Sequence, residues 1–123
     1  MPLLQFRGVY VPLILDGRKT QTIRAKLGGG FVAGRPLRIQ NGYSATAHVA
    51  DATIDAVDEV PIAELTERDA KLDGFPSLDE LLAVIASTYP GATRVFRVRW
   101  RDLVPAARAP AKRRRAGRQA RLL

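Results

Sequence analysis

Residues 17 to 24 read Gly-Arg-Lys-Thr-Gln-Thr-Ile-Arg, a glycine turn that leads into a threonine-rich run. Thr20, Thr22 and Arg24 recur at period two, so a strand here presents two hydroxyls and a guanidinium on one face. Such a face suits an anionic or amide-bearing ligand. An exposed edge of a small β-sheet is the alternative, because threonine favours strands and cationic side chains protect edges from aggregation.

Further strand signals lie on both sides of this segment. The sequence predicts strands at residues 3–6, 37–40 and 45–57, and a short helix at residues 9–15. Asp51 interrupts the alternation of the long third strand and indicates a β-bulge. The chain up to residue 57 is therefore expected to be mainly β-structure.

Two helices with N-terminal capping signals follow. Thr66 precedes Asp69 by three residues and Ser77 precedes Glu80 by three, which is the spacing of a capping box. In the second helix an apolar stripe faces the core, and Tyr89-Pro90-Gly91 ends the helix. The stripe consists of Leu78, Leu81, Leu82 and Ile85. Glu80 lies off this stripe, so a capping role alone would explain it.

Length and composition exclude several classes of protein. The chain has 123 residues, no cysteine and a single histidine, which predicts one domain without a disulfide framework or an ordinary zinc or haem site. His48 is expected to be a surface or hydrogen-bonded histidine. Arg7, Pro12 and Asp16 interrupt the apolar N-terminal stretch, which therefore resembles neither a signal peptide nor a membrane span. We expect a cytoplasmic protein with no metal, no cofactor and no membrane partner.

The net charge of +8 resides mainly in the C-terminal segment. Residues 105–123 hold seven cations and no acid, whereas residues 1–104 hold thirteen cations and twelve acids. This tail lacks an apolar period, which predicts disorder in isolation. Cations such as Arg113 and Arg114 would bind RNA phosphates without sequence preference, because each neutralised phosphate releases a counterion. A solubilising extension is the alternative.

A second basic feature lies in the last predicted strand, residues 95–101. Phe96, Val98 and Trp100 alternate with Arg97, Arg99 and Arg101, which predicts a half-buried strand. The three arginines would share one face and could contact phosphates. More often such a row is the solvated side of a strand.

Two motifs together resemble those of a known family. The first is Gly17-Arg18-Lys19-Thr20 with Thr22-Ile23-Arg24, and the second comprises Leu78, Glu80-Leu81, Val84-Ile85-Ala86 and Tyr89-Pro90-Gly91. With the order of elements, they resemble the ASCH domain family, and within it the small bacterial N4-acetylcytidine amidohydrolases. The resemblance covers residues 3 to 104. It implies an α+β fold, a PUA-like β-barrel with flanking short helices, in residues 1–104, followed by the basic tail.

The resemblance also implies a site. The family enzymes share a lysine, a threonine and a glutamate that act together, and the matching positions are Lys19, Thr22 and Glu80, with Thr20 and Arg24 as ligand-binding residues. A threonine hydroxyl becomes a nucleophile when a base removes its proton, and a lysine can be that base when burial lowers its pKa. In a regular strand Lys19 and Thr22 would face opposite ways. The site therefore requires Lys19 to lie in the turn after Gly17.

The sequence is compatible with three functions. The resemblance favours a metal-independent amidohydrolase that acts on N4-acetylcytidine or a similar nucleoside. A non-catalytic RNA-binding module would use the same residues to bind, and a metal-independent ribonuclease would use Lys19 and Arg24 to stabilise its transition state. The basic tail favours the last two functions, whereas Glu80 and the Tyr89-Pro90-Gly91 motif favour the first.

Overall fold

The computed structural model describes residues 1–42 and 47–106, and the basic tail from residue 107 onward, with Arg113 and Arg114, lies outside these ranges. The described residues form five strands, three α-helices and two short 3₁₀ helices, Gly8–Tyr10 and Ile62–Glu64. The strands are β1 (Leu3–Phe6), β2 (Gln21–Arg24), β3 (Pro36–Asn41), β4 (His48–Pro61) and β5 (Arg94–Pro105). The helices are α1 (Val11–Leu15), α2 (Glu67–Leu72) and α3 (Leu78–Thr88).

The strands form one mixed sheet in the order β1-β3-β4-β5-β2. β1 and β3 are parallel and the other pairs are antiparallel. The sheet curls into a half-barrel with short helices packed on it, which confirms the predicted α+β class. β1 and β2 are its two edges, so the segment that carries the Gly-Arg-Lys-Thr motif lies at an open side of the barrel.

Irregular pairing between the two long strands contributes to the curl. The β4–β5 register shifts between Asp51 and Thr53, which confirms the irregularity predicted at Asp51, and again between Ile54 and Ala56. Opposite the first shift, Asp102 of β5 has a φ of 55°, the left-handed conformation often found at bulges. Each extra residue increases the local twist and turns the strands around the core.

Two apolar clusters form the core. One lies inside the half-barrel, where Phe6 and Trp100 meet edge to face with ring centroids 5.8 Å apart. The other lies between the sheet and the helices and includes the α3 residues Leu81 and Ile85, two members of the predicted stripe. The helices therefore cover the end of the sheet where β2 and β5 pair.

The structure contains one of the two predicted capping boxes in full and only one bond of the other. At α2, Thr66 and Asp69 form both bonds of a capping box. At α3, the Ser77 hydroxyl accepts from the backbone N–H of Glu80 at 3.3 Å, but the carboxylate near the helix start comes from α2. Glu67 accepts from the N–H of Leu78 at 2.6 Å. The two helices are thus joined at their ends, and the Glu80 side chain remains exposed.

Two arginines of the β5 row, Arg97 and Arg99, contact α2 through Asp69. Asp69 is 2% exposed and lies 3.2 Å from Arg97 Nη1 and 3.4 Å from Arg99 Nη2. Gln21 of β2 joins them, because it accepts from Arg99 Nε at 2.7 Å and its amide lies 3.3 Å from Asp69 Oδ1. Arg97 also pairs with the exposed Asp58 of β4. This network fixes α2 on the sheet.

Asp69 should make an acid-sensitive contribution to folding stability. Burial by itself would raise the pKa of Asp69, but hydrogen bonds from Thr66 and Gln21 and the charge of Arg97 lower the pKa overall. The stabilisation is fully present above the ordinary aspartate pKa of about 3.9, and it is lost as pH falls through the lower pKa of the folded state.

We therefore predict that Asp69→Asn lowers the free energy of unfolding at pH 7 by about 3 kcal/mol, the lower end for a broken buried ion pair. The lower end applies because Arg97 retains Asp58. Asp58→Asn is the matched control, since that carboxylate is 51% exposed, and it should cost less than about 1 kcal/mol. Urea unfolding between pH 2 and 7 measures both variants. Equal losses, or an unchanged acid dependence in Asp69→Asn, would contradict the assignment.

Candidate active site

A cleft of about 210 Å³ opens between the two edge strands and α3. Its walls come from four parts of the chain, the end of β1 with the following turn, the β2 segment, the end of α2, and α3. The lining residues are Gln5, Phe6, Arg7, Tyr10, Lys19, Thr22, Ile23, Arg24, Asp73, Phe75, Leu81, Val84, Ile85, Thr88 and Tyr89. Three of the predicted site residues, Lys19, Thr22 and Arg24, are among them.

Lys19 and Asp73 form a buried ion pair at the inner end of this cleft. Lys19 precedes β2, in the extended link after Gly17, so it does not follow the alternation of the strand. Its Nζ donates to the backbone carbonyl of Asp73 at 2.8 Å and also to Oδ1 of the same residue. The side chains are only 3% and 4% exposed. Nζ also lies 5.5 Å from the ring centroid of Phe6 and 5.1 Å from that of Tyr10.

Burial brings the pKa values of Lys19 and Asp73 closer to each other. It lowers the pKa of Lys19, against the raising effect of the Asp73 charge, and the nearby Arg24 charge lowers it further. Burial also raises the pKa of Asp73, against the lowering effect of Lys19. Both shifts disfavour the charged forms, which are costly away from water. The uncharged forms of Lys19 and Asp73 are therefore less costly here than they would be in water.

The end of α2 brings Asp73 to the lysine. Asp73 is the C-cap residue of α2, and Gly74 follows with a φ of 89°, a left-handed conformation that glycine adopts without steric cost. A Cβ at Gly74 would lie 3.2 Å from Leu13 Cδ1 and 3.5 Å from Lys19 Cβ. The glycine is thus favoured chiefly by the left-handed turn, and a Cβ there would also press on the Leu13 side chain.

Thr22 and Arg24 lie on the same face of β2 and are bonded to each other. Thr22 is 5% exposed, and its Oγ1 accepts a hydrogen bond from Arg24 Nε at 3.2 Å. Arg24 Nη2 donates to the backbone carbonyl of Gln5 on β1 at 2.7 Å. The guanidinium carbon lies 4.9 Å from the ring centroid of Phe6. The predicted shared face of Thr22 and Arg24 is therefore present.

The other two predicted site residues lie elsewhere. Thr20 precedes β2, donates its backbone N–H to Leu72 at 2.8 Å, and lines a second, more open cleft beside Trp100. Glu80 is exposed and is not among the residues that line the Lys19 cleft. On a helix, adjacent residues point about 100° apart, so Glu80 turns away when Leu81 faces inward. The carboxylate beside Lys19 belongs to Asp73.

Sequence reasoning missed Asp73 and the aromatic walls. An aspartate before a glycine at a helix end signals a C-terminal cap, yet nothing local indicates a partner 54 residues earlier in the chain. Tyr10 and Phe75 meet edge to face with centroids 6.2 Å apart, and Tyr89 lines the cleft beyond them. Their sequence signals are those of ordinary core and helix-end residues.

The predicted phosphate-binding arginines of β5 are held by carboxylates. Arg97 and Arg99 contact Asp69, and Arg101 Nε lies 3.2 Å from Asp55. Contact with RNA remains a prediction for them, as it does for Arg113 and Arg114 outside the described residues. His48 pairs with Asp51 at 3.0 Å on the surface, as expected for a hydrogen-bonded histidine.

In residues 1–42 and 47–106, no three His, Cys, Asp or Glu side chains are grouped so that they could hold a metal ion. No helix in these ranges is both long enough and apolar enough to cross a bilayer.

The chain is similar to curated proteins and to solved structures. No family model matches the chain. The chain is 36% identical over 94 residues to the N(4)-acetylcytidine amidohydrolase of Escherichia coli O139:H28, a match that covers 73% of this chain and 85% of that protein. It is 34% identical over 91 residues to the protein of the same name from Shewanella baltica, with 74% and 85% covered.

Solved structures of ASCH proteins share the fold. The ASCH protein of Zymomonas mobilis superposes with a TM-score of 0.68 at 14% identity and covers 84% of this chain and 68% of its own. The ASCH domain of Lactobacillus crispatus superposes with a TM-score of 0.65 at 14% identity, with 80% and 72% covered. At this identity the likeness concerns the fold.

The role of Gly74 leads to a prediction about the ion pair. Gly74→Ala should destabilise the protein by about 1–2 kcal/mol, the cost of a left-handed backbone for a residue with a Cβ. It should also move Asp73 away from Lys19, and the pKa of Lys19 should then fall further, because the raising effect of the carboxylate weakens. Thermal unfolding and an NMR titration of the Lys19 side chain measure the two effects.

Gly91→Ala is the matched control for this change. Gly91 follows α3 with a φ of 81°, and a Cβ there would meet nothing within 4 Å. The control should show the same loss of stability with an unchanged Lys19 titration. A Lys19 titration that is unchanged in Gly74→Ala as well would mean that the helix end does not depend on this glycine.

Proposed function

The chain belongs to the N(4)-acetylcytidine amidohydrolase family of ASCH proteins, and we propose that it hydrolyses the N4-acyl amide of acetylcytidine or a similar cytosine nucleoside. One observation carries this proposal. A buried lysine of lowered pKa lies beside a carboxylate of raised pKa, in the same cleft as a threonine hydroxyl. These are the groups that an amide hydrolase needs to make a nucleophile and to protonate a leaving amine.

The first step uses Thr22 as the nucleophile and Lys19 as the base. When the shared proton rests on Asp73, the Lys19 amine is neutral and can accept the proton of the Thr22 hydroxyl. The threonine oxygen then bonds to the acyl carbon, and the carbonyl electron pair moves onto the carbonyl oxygen. Burial favours this uncharged form of the pair, which is why Lys19 can act as a base at lower pH than an exposed lysine.

The second step releases the nucleoside amine. The tetrahedral intermediate reforms its carbonyl, the C–N bond breaks, and N4 takes a proton from the Lys19–Asp73 pair. The acyl group is then an ester of Thr22, and a water molecule deprotonated by Lys19 attacks it in the same way. The sum is one amide and one water converted to one carboxylic acid and one amine, with Thr22, Lys19 and Asp73 restored.

The walls of the cleft suit a single flat ring. Tyr10, Phe75 and Tyr89 line it, and aromatic side chains are the usual platforms for unstacked nucleobases. Its volume of about 210 Å³ is below the 300–1,000 Å³ typical of sites for larger ligands. A modified base with a small acyl group is therefore a better fit than a base pair.

The nucleophile can be tested with two threonines of the same segment. The purified protein should convert N4-acetylcytidine to cytidine and acetate, followed by chromatography. Thr22→Val retains the shape and strand propensity of threonine without the hydroxyl, so kcat should fall at least a thousandfold while the melting temperature changes little. Thr20→Val, outside the cleft, should keep near-normal kcat. Full activity in Thr22→Val would assign the nucleophile elsewhere, and no activity in the wild type would refute the proposed reaction.

The two candidate carboxylates can be distinguished in the same assay. Asp73→Asn keeps the size of the side chain but removes its proton transfer, so kcat should fall by at least about a hundredfold. Glu80→Gln is the matched control, an exposed carboxylate on the neighbouring helix, and it should leave kcat and the melting temperature near those of the wild type. The opposite result would restore Glu80 as the catalytic carboxylate and leave the buried pair with a structural role.

A further inference from the structure

Arg24 lines the cleft, and its side chain is also bound to the protein on two sides of it. Nε donates to the hydroxyl of Thr22 on its own strand and Nη2 donates to the backbone carbonyl of Gln5 on β1. We propose that Arg24 is a positioning residue for the hydrolysis, which fixes the Thr22 hydroxyl and ties the two edge strands together across the cleft. The inference rests on the proposed function, because it concerns how that nucleophile is held.

The contact with Gln5 crosses the open side of the half-barrel. β1 and β2 stand at opposite ends of the strand order, so neither pairs with the other in the sheet. The 2.7 Å bond from Arg24 to the Gln5 carbonyl therefore joins two edges that the sheet leaves apart. Phe6 on β1 lies under the guanidinium at 4.9 Å and adds a second contact between the same two strands. The strand of the nucleophile is thus anchored to the opposite wall.

The contact with Thr22 determines where the hydroxyl proton can go. A guanidinium donates hydrogen bonds and cannot accept them. The Thr22 oxygen therefore accepts from Arg24, and the proton of the hydroxyl must point to another partner. In the proposed reaction that partner is the neutral amine of Lys19, which lines the same cleft. As the proton leaves, the adjacent positive charge stabilises the developing alkoxide.

The same charge acts on the base. Asp73, Arg24 and the Tyr10 phenol are the charged and titratable groups that surround the Lys19 amine, and Arg7 lies at the cleft mouth. The Arg24 charge lowers the pKa of Lys19, whereas Asp73 raises it. A second cation near a catalytic lysine is a known way to make the amine available near neutral pH. Arg24 thus favours deprotonation of both reacting groups.

Arginine suits this role and lysine does not. The planar guanidinium presents donors in a fixed fork, so it can bond Thr22 and Gln5 together and still lie flat over Phe6. An ammonium would supply the charge but could not hold both partners in this geometry. Substitutions of Arg24 can therefore separate the effect of its charge from its effect on the position of Thr22.

The experiment compares Arg24→Lys and Arg24→Gln with Arg38→Gln, a matched loss of a cation from the surface of β3. For each variant we would measure the melting temperature, kcat and KM for N4-acetylcytidine, the pH profile of kcat/KM, and the Lys19 titration by NMR. In Arg24→Gln, kcat should fall about a hundredfold with little change in KM. The rising limb of the profile and the Lys19 titration should both move to higher pH.

Arg24→Lys should keep the Lys19 titration near that of the wild type and still lose kcat about tenfold or more, since the charge remains but the fork is lost. Arg38→Gln should change none of these quantities. A raised KM with unchanged kcat in Arg24→Gln would show that Arg24 binds ligand, and full kcat in Arg24→Lys would show that the fork is not needed. Either result overturns the inference.

Folding and activity are controlled separately. If Arg24→Gln does not fold, Arg24→Lys tests the positioning role by itself. If the wild type does not hydrolyse the substrate, the proposed function fails, whereas the Lys19 titration still tests the charge effect of Arg24. An unchanged titration in folded Arg24→Gln would refute that effect.

Discussion

The buried ion pair between Lys19 and Asp73 is the contact on which the arrangement of this site depends. Removal of two charges from water costs several kcal/mol per ion before any attraction is counted. The two hydrogen bonds from the amine to Asp73, and the rings of Phe6 and Tyr10 beside it, offset part of that cost. The pKa of Lys19 remains lowered and that of Asp73 remains raised. Perturbed pKa values of this kind are more frequent at reactive sites than at structural ones.

The short helix α2 links this pair to the rest of the sheet. Six residues are too few to be stable as an isolated helix. Asp69 in the first turn is held by the arginines of β5, and Asp73 at the other end is held by Lys19. The helix thus runs from β5 to the Lys19 segment before β2, and it places the Asp73 carboxylate at a defined point. The β5 arginine row serves this attachment.

The open side of the half-barrel is what creates a cleft at all. A closed barrel would pair β1 with β2 and fill the space that now lies between them. The two edges are kept apart by the strand order and joined at one place by Arg24. The cleft therefore has Thr22 beside this Arg24 contact and the aromatic side chains of Tyr10, Phe75 and Tyr89 in its walls, which suits the proposed hydrolysis of a modified base.

Short stretches of sequence specified the local elements and the family, because those depend on neighbouring residues. The Thr66–Asp69 capping box and the Tyr89-Pro90-Gly91 stop each act within a few positions, and the structure contains both features. The strand predicted from Thr20 begins at Gln21, so only Thr22 and Arg24 of the predicted face lie on it. The motif around Lys19 also identified three residues of the cleft. Which carboxylate meets the lysine depends on how the segments pack, because Asp73 and Glu80 are both acidic residues near helix ends and their local patterns do not distinguish them. The choice follows from the left-handed turn at Gly74 and from the direction in which α3 presents Leu81 to the core, and both depend on packing between segments far apart in the chain. The same holds for the β5 arginines, whose surroundings were set by a helix 28 and 30 residues away.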